Sequence, residues 1–255
     1  MNCQKWLNRF QEAHGHRPRA LITGGSSGMG LEYAKQLAEI GCNLLLVSNQ
    51  REELERTAES LRQGRDIQVM PHYQDLATDT AADELLAYCQ SQGLQIDILI
   101  NNAGISREQP FLEMSVETFD EICVANLRSV MLMMKAVLPA MERQKSGSVV
   151  NIGSGAALRG LPGSAAYSVS KAGVVALTQA VGDEMRPKGI RVNVICPGPV
   201  DTELFQKSER RQFILDAGGD VFDTETVANG ILFLASDLSK GMNSQTLVMR
   251  GFNRW

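Results

Sequence analysis

A chain of 255 residues, 44% hydrophobic and 21% charged, is long enough to bury a full core, and an α/β chain of this length is often one domain. A net charge of −4 at pH 7, with no long block of either sign, argues against nucleic acid as a partner. Five scattered cysteines without a C-x-x-C pair, and no apolar core near the start for a signal peptide, lead us to expect reduced thiols and a cytoplasmic setting.

Residues 1–18 read as an N-terminal extension in which Trp6, Leu7 and Phe10 form one face of a short packing helix. His14 and His16 lack a third ligand nearby, so no metal site is expected. From Arg19 to the end, apolar strands alternate with amphipathic helices, without linker or repeat, so 19–255 is expected to be a single domain. "RALIT" is the first strand, and Leu31, Ala34, Leu37 and Ala38 mark a helix stopped by Gly41. "NLLLVS", "IQVMPHYQDL" and "IDILINNAG" hold the next three strands, with helices around residues 54–61 and 81–92. A long helix over 115–144 precedes "SGSVVNIGS". A helix over 164–186 precedes "IRVNVICPGP", and a helix over 223–235 precedes "QTLVM". No stretch approaches the roughly 18 apolar residues of a membrane span. Near-continuous apolar strands, each followed by a helix, predict a Rossmann-like α/β fold: a doubly wound three-layer sandwich with a mostly parallel sheet of about seven strands. Ligands of such sheets sit beyond the carboxyl ends of the strands.

The polar motifs fall at those ends. "TGGSSGMG" joins the first strand to its helix. Gly24, Gly28 and Gly30 permit a tight turn, and the helix N-terminus with Ser26, Ser27 and Met29 suits a pyrophosphate. In "YSVSK", Tyr167 and Lys171 lie four apart on one helical face, where an ammonium near a phenol can tune it as an acid/base. Ser154, thirteen residues before Tyr167, ends a strand and can donate to a carbonyl oxygen.

Taken in order, "TGGSSGMG", "DL" at Asp75, "NNAG" at 101–104, "AN" at Asn126, Ser154, "YSVSK" and "PGPVDT" at 197–202 make the chain resemble the short-chain dehydrogenase/reductases, in their compact single-domain branch, from Arg19 to Gly251. The resemblance implies an NAD(P)-dependent oxidoreductase that interconverts a ketone and a secondary alcohol by hydride transfer. By it, Tyr167 passes the proton and Lys171 also holds the nicotinamide ribose. Ser154 polarises or positions the substrate carbonyl, and Asn126 organises a water for the proton relay. It puts Asp75 and Leu76 near the adenine, and Asn101, Asn102, Ala103 and Gly104 along the cofactor cleft. Pro197, Gly198 and Val200 face the carboxamide, with Thr202 near the phosphates. Ile105, Leu158, Leu161 and the segment after Thr202 are the expected substrate wall, mostly apolar, with Arg159, Arg210 and Arg211 able to meet an anionic group. The partner is a small-molecule carbonyl or alcohol. A homodimer or homotetramer is implied through the long helix, with its Met131, Met133, Met134 and Met141, and the helix of "YSVSK".

At the exit of the second strand, where an acid suits NAD and an Arg suits a 2′-phosphate, Ser48 and Asn49 stand with Arg51 beyond. Asn49 with Glu52 reads as a helix cap, and Arg51 leaves NADP(H) favoured over NAD(H). Two competing readings are a dinucleotide-sensing protein without turnover, opposed by the intact Ser154, Tyr167 and Lys171, and a sugar-nucleotide epimerase or dehydratase, opposed by chain length and glycine spacing. The ending "VMRGFNRW" departs from the family pattern, with Arg250 in place of an acid.

Overall fold

The computed structural model describes residues 3–208, 211–216 and 219–250. Gly251 with the tail, and Arg210, lie outside the described residues. Seven strands, β1 (Arg19–Thr23), β2 (Asn43–Ser48), β3 (Val69–Tyr73), β4 (Ile98–Asn101), β5 (Gly147–Ile152), β6 (Ile190–Pro197) and β7 (Thr246–Met249), form one sheet in the order β3-β2-β1-β4-β5-β6-β7. Every pairing is parallel. The order reverses between β1 and β4, which opens a crevice at their carboxyl ends.

Continuous apolar strands follow from having helices on both faces. Successive residues of β2 supply two different cores: Leu44 and Leu46 join one, Leu45 and Val47 the other. The first core packs under α2 (Gly28–Ile40), α3 (Arg51–Arg62) and α10 (Thr224–Ala235). The second packs under α4 (Ala81–Ser91), α6 (Ser129–Gln144) and α7 (Ala165–Met185). The N-terminal α1 (Cys3–His14) buries Trp6 and Leu7, each side chain contributing about 1.5–3 kcal/mol, while Phe10 is half-buried. His14 ends that helix, and His16 meets Asp97.

The predicted long helix is one rod of three parts, α5 (Val116–Cys123), a π-helical turn (Val124–Arg128) and α6. By length (29 residues) and mean hydropathy (1.4) alone Val116–Gln144 is apolar enough to cross a membrane, yet Glu117, Asp120, Glu121, Arg128 and Lys135 interrupt it and close to half of its most apolar window is buried inside the fold. Met133, Met134, Val137 and Met141 on this rod are core side chains against the sheet. Met131 is half-buried. Between β6 and α10 lie α8 (Glu203–Gln206) and α9 (Arg211–Asp216).

Candidate active site

The glycine corner is built as close packing. Gly24 has φ 63° and Gly28 φ 51°, which L side chains rarely adopt. A Cβ on Gly30 would stand 2.0 Å from the Gly24 carbonyl oxygen. Thr23 ties this corner to the "NNAG" loop: its Oγ1 accepts from the backbone N of Asn102 at 2.9 Å and of Ala103 at 3.0 Å. Asn102 Nδ2 in turn donates to Thr23 O at 3.0 Å. Asn101 turns away from the cleft and donates to Asn151 inside the sheet at 2.8 Å. The N-cap of α2, Ser27, makes no side-chain cap bond, and the first turn carries no acid. The leading N–H groups of that helix therefore stand open to an anion, which fits a dinucleotide pyrophosphate.

At the ribose corner, Ser26 Oγ donates to Ser48 Oγ at 3.1 Å, and Ser48 Oγ accepts from Gln50 N at 3.1 Å. The N-cap of α3 is Gln50, without a side-chain cap bond. Asn49 is thus not the cap the sequence suggested, because Ser48 holds the turn from one residue earlier. The Arg51 guanidinium lies over the Tyr73 ring at 4.3 Å, held beside the end of β2 by cation–π attraction. Asp75 is exposed just beyond β3, where one carboxylate oxygen accepts from Ala77 N at 2.9 Å, and Leu76 is half-buried.

Ser154 follows β5 and opens a single 3-10 turn, its Oγ accepting from Ala156 N at 3.1 Å. Tyr167 lies in the first turn of α7 and is half-buried. Burial raises the Tyr167 pKa, a hydrogen bond with Ser154 pulls it back in part, and the nearby Cys196 thiol pushes it up. Lys171 is buried at 4% exposure, and its Nζ donates to Ile152 O at 2.8 Å. It stands 5.9 Å from the centre of the Tyr167 ring. Burial brings the Lys171 ammonium down to about 8. The phenol is therefore not lowered here as the Tyr-Lys spacing suggested, because desolvation acts on both groups.

Asn126 is fully buried in the π-helical turn. Its amide clamps the backbone of Ile105 from both sides, accepting from Ile105 N at 2.8 Å and donating to Ile105 O at 2.9 Å, and it donates to Ser170 Oγ at 3.1 Å. Gly104 has no room for a side chain: a Cβ would stand 2.9 Å from the Asn126 carbonyl.

Ser154, Tyr167 and Lys171 share a cavity of about 430 Å³ with Met29, Asn102, Gly104, Pro197, Gly198, Val200 and Thr202. Leu161 lines it, whereas Ile105 does not and Leu158 is 47% exposed outside it. The wall is also more mixed than the sequence suggested, since Ser106, Glu108, Ser164, Lys207 and Ser208 join Leu204, Phe205 and Ile214. Arg159 and Arg211 are exposed and line none of it. Leu204, Phe205, Lys207, Ser208 and Ile214 lie in the segment after Thr202 expected to form the wall, whereas Ser106, Glu108 and Ser164 were not anticipated; position alone, a few residues past "NNAG" or before Tyr167, could have found them. Among the described residues no cluster of His, Cys, Asp or Glu could hold a metal ion.

A family model described as short chain dehydrogenase matches residues 18–212. The chain is 32% identical over 249 residues to an uncharacterized oxidoreductase, YxjF, of Bacillus subtilis, covering 91% of this chain and 96% of that protein. It is 32% identical over 236 residues to the 3-oxoacyl-(acyl-carrier-protein) reductase FabG of Chlamydia trachomatis, covering 91% and 95%. Among solved structures, levodione reductase superposes with a TM-score of 0.85 at 30% identity, covering 92% of this chain and 96% of that one. With its all-parallel sheet and its glycine corner, this chain belongs to the short-chain dehydrogenase/reductase family and is an NAD(P)-dependent oxidoreductase.

Proposed function

We propose that the protein is an NADPH-preferring reductase that interconverts a small ketone and its secondary alcohol. One observation carries this reading: the Tyr167 and Ser154 hydroxyls are hydrogen-bonded at the mouth of β5, beside a buried ammonium and in one cavity with the glycine corner. The residues lining the cleft on both sides of the sheet's switch point would hold the dinucleotide, which supplies the hydride. Ser154 donates to the carbonyl oxygen and fixes its position. With its pKa raised by burial, Tyr167 keeps its proton near neutrality and is the donor to the developing alkoxide. Lys171 supplies positive charge behind the phenol and would meet the ribose hydroxyls. Asn126, held in its π turn by bonds to Ile105 and Ser170, would organise a water for the proton relay.

The NADPH preference rests on Arg51 over Tyr73 and on the lack of a carboxylate from Ser48 to Arg51. Assembly as a homodimer or homotetramer through the long rod and α7 is part of the same reading, and exposed Val116 and Val169 on these elements favour it. A cytoplasmic setting agrees with the absence of a disulfide at Cys42, Cys89, Cys123 and Cys196. The test is Tyr167→Phe: kcat/KM for ketone reduction should fall about 10³-fold with the fold intact. Retention of most of the activity would sink the assignment.

A further inference from the structure

Glu108 is the one carboxylate lining the cavity of Ser154 and Tyr167, among the described residues. Its loop is pinned on both sides. Ile105 is clamped by Asn126, Arg107 pairs with Glu121 at 2.6 Å, and Gln109 N donates to Gly163 O at 2.8 Å. The carboxylate is thus held on fixed backbone. One oxygen, Oε1, accepts from Ser208 Oγ at 2.5 Å, across 100 residues of sequence. Ser208 ends the strap that carries α8, so this bond joins the two sides of the cavity mouth. The other oxygen, Oε2, takes no hydrogen bond from any described residue. The cation beside it in sequence on the strap, Lys207, is engaged with Glu203 at 2.5 Å.

On a half-buried glutamate, a carboxylate oxygen without a partner among the described residues gains most from an O–H donor, through a charge-assisted bond worth about 1.5–3 kcal/mol. It repels an anion. The hydroxyls of Ser106 and Ser164 add to the polar character of the same wall. We propose that Glu108 reads a hydroxyl group on the substrate near the reacting carbon, so that the preferred substrate is a hydroxylated ketone or the corresponding diol, while the Ser208 bond holds the strap closed over it. This deepens the ketone-reductase reading and rests on it.

The experiment compares kcat/KM with NADPH for cyclohexanone, 2-hydroxycyclohexanone and 2-oxocyclohexanecarboxylate, in the wild type and in Glu108→Ala, Glu108→Gln and Ser208→Ala. The wild type should favour the hydroxyketone over cyclohexanone by about tenfold or more and the carboxylate least. Glu108→Ala should bring the hydroxyketone preference close to one and raise the relative rate of the carboxylate. Glu108→Gln keeps an acceptor for Ser208 without the charge, and should fall between. Ser208→Ala should raise KM for all three yet keep their ranking. The proposal is overturned if the wild type shows no preference, if the Glu108 variants lower all three in proportion, or if Ser208→Ala alone abolishes the preference. Failure of the wild type to turn over any of the three while it binds NADPH would instead overturn the ketone-reductase reading beneath it.

Discussion

Where the strands begin, polar groups close on one another. Asp97 accepts from Arg19 N at 2.8 Å and pairs with His16 at 3.2 Å. Arg9 makes a two-pronged bond to Asp237. The largely buried Arg191 guanidinium donates to the carbonyls of Leu234, Ala235 and Ser236 at the end of α10. Burial brings Arg191 down to about 10, and Asp237 pulls it back up. Where the strands end, the groups are left facing outward: the uncapped start of α2, the second oxygen of Glu108, and the Tyr167 and Ser154 hydroxyls at a cavity. One sheet thus carries a stitched edge and an open one. The stitched edge adds stability through bonds that the protein completes itself. At the open edge the start of α2 and the second Glu108 oxygen forgo part of that stability and stay available to a ligand.

The sharpest way to break the comparison is Lys171→Met. Activity should fall about 10³-fold by kcat/KM, yet stability should change little. A buried ammonium whose pKa falls from 10.5 to about 8 costs the folded state about 3 kcal/mol below pH 8, so its removal offsets the loss of the bond to Ile152 O. The sign is open to test. The folded state releases this proton before the unfolded chain does, so wild-type stability should rise between about pH 8 and 10.5, and the variant should lack that rise in denaturant titrations. Gly30→Ala comes next, since its methyl would press into the Gly24 carbonyl at 2.0 Å. We expect about 3 kcal/mol lost, or roughly 6–12 °C in Tm, together with weaker cofactor binding by titration.

On the stitched edge, Asp97→Ala should cost about 1–3 kcal/mol by chemical denaturation while kcat/KM stays within about twofold. A large loss of activity there would erase the distinction between the edges. The smallest effect is expected for Arg51→Ala, which should lower the NADPH/NADH ratio of kcat/KM about tenfold by removing the cation over Tyr73. A wild-type preference for NADH would remove the reason for that prediction.

Much of the open edge was legible because its signals are local. A glycine cluster between an apolar run and an amphipathic one, a Tyr and Lys four apart, and a Ser at a strand end carry their meaning within a few residues. The exit of β2 was half legible: the missing carboxylate could be read, but the Ser26–Ser48 bond and the stack of Arg51 on Tyr73 join segments more than twenty residues apart. The cap assigned to Asn49 failed for a related reason. The backbone enters α3 at Gln50, so the residue that can reach the turn is Ser48.

Alternating strand and helix patterns determined the class of fold, since a strand apolar on both faces has to be covered on both faces. The order and spacing of the motifs determined the family and singled out the residues proposed to react. Tertiary structure alone decided that the long rod turns π-helical at Asn126, because that side chain is anchored to Ile105 and Ser170 from outside its own helix. It alone brought Glu108 and Ser208 together at the cavity that Ser154 and Tyr167 line. Side-chain partners separated by a hundred residues leave no periodic mark in a sequence, and only the close packing of the folded chain selects them.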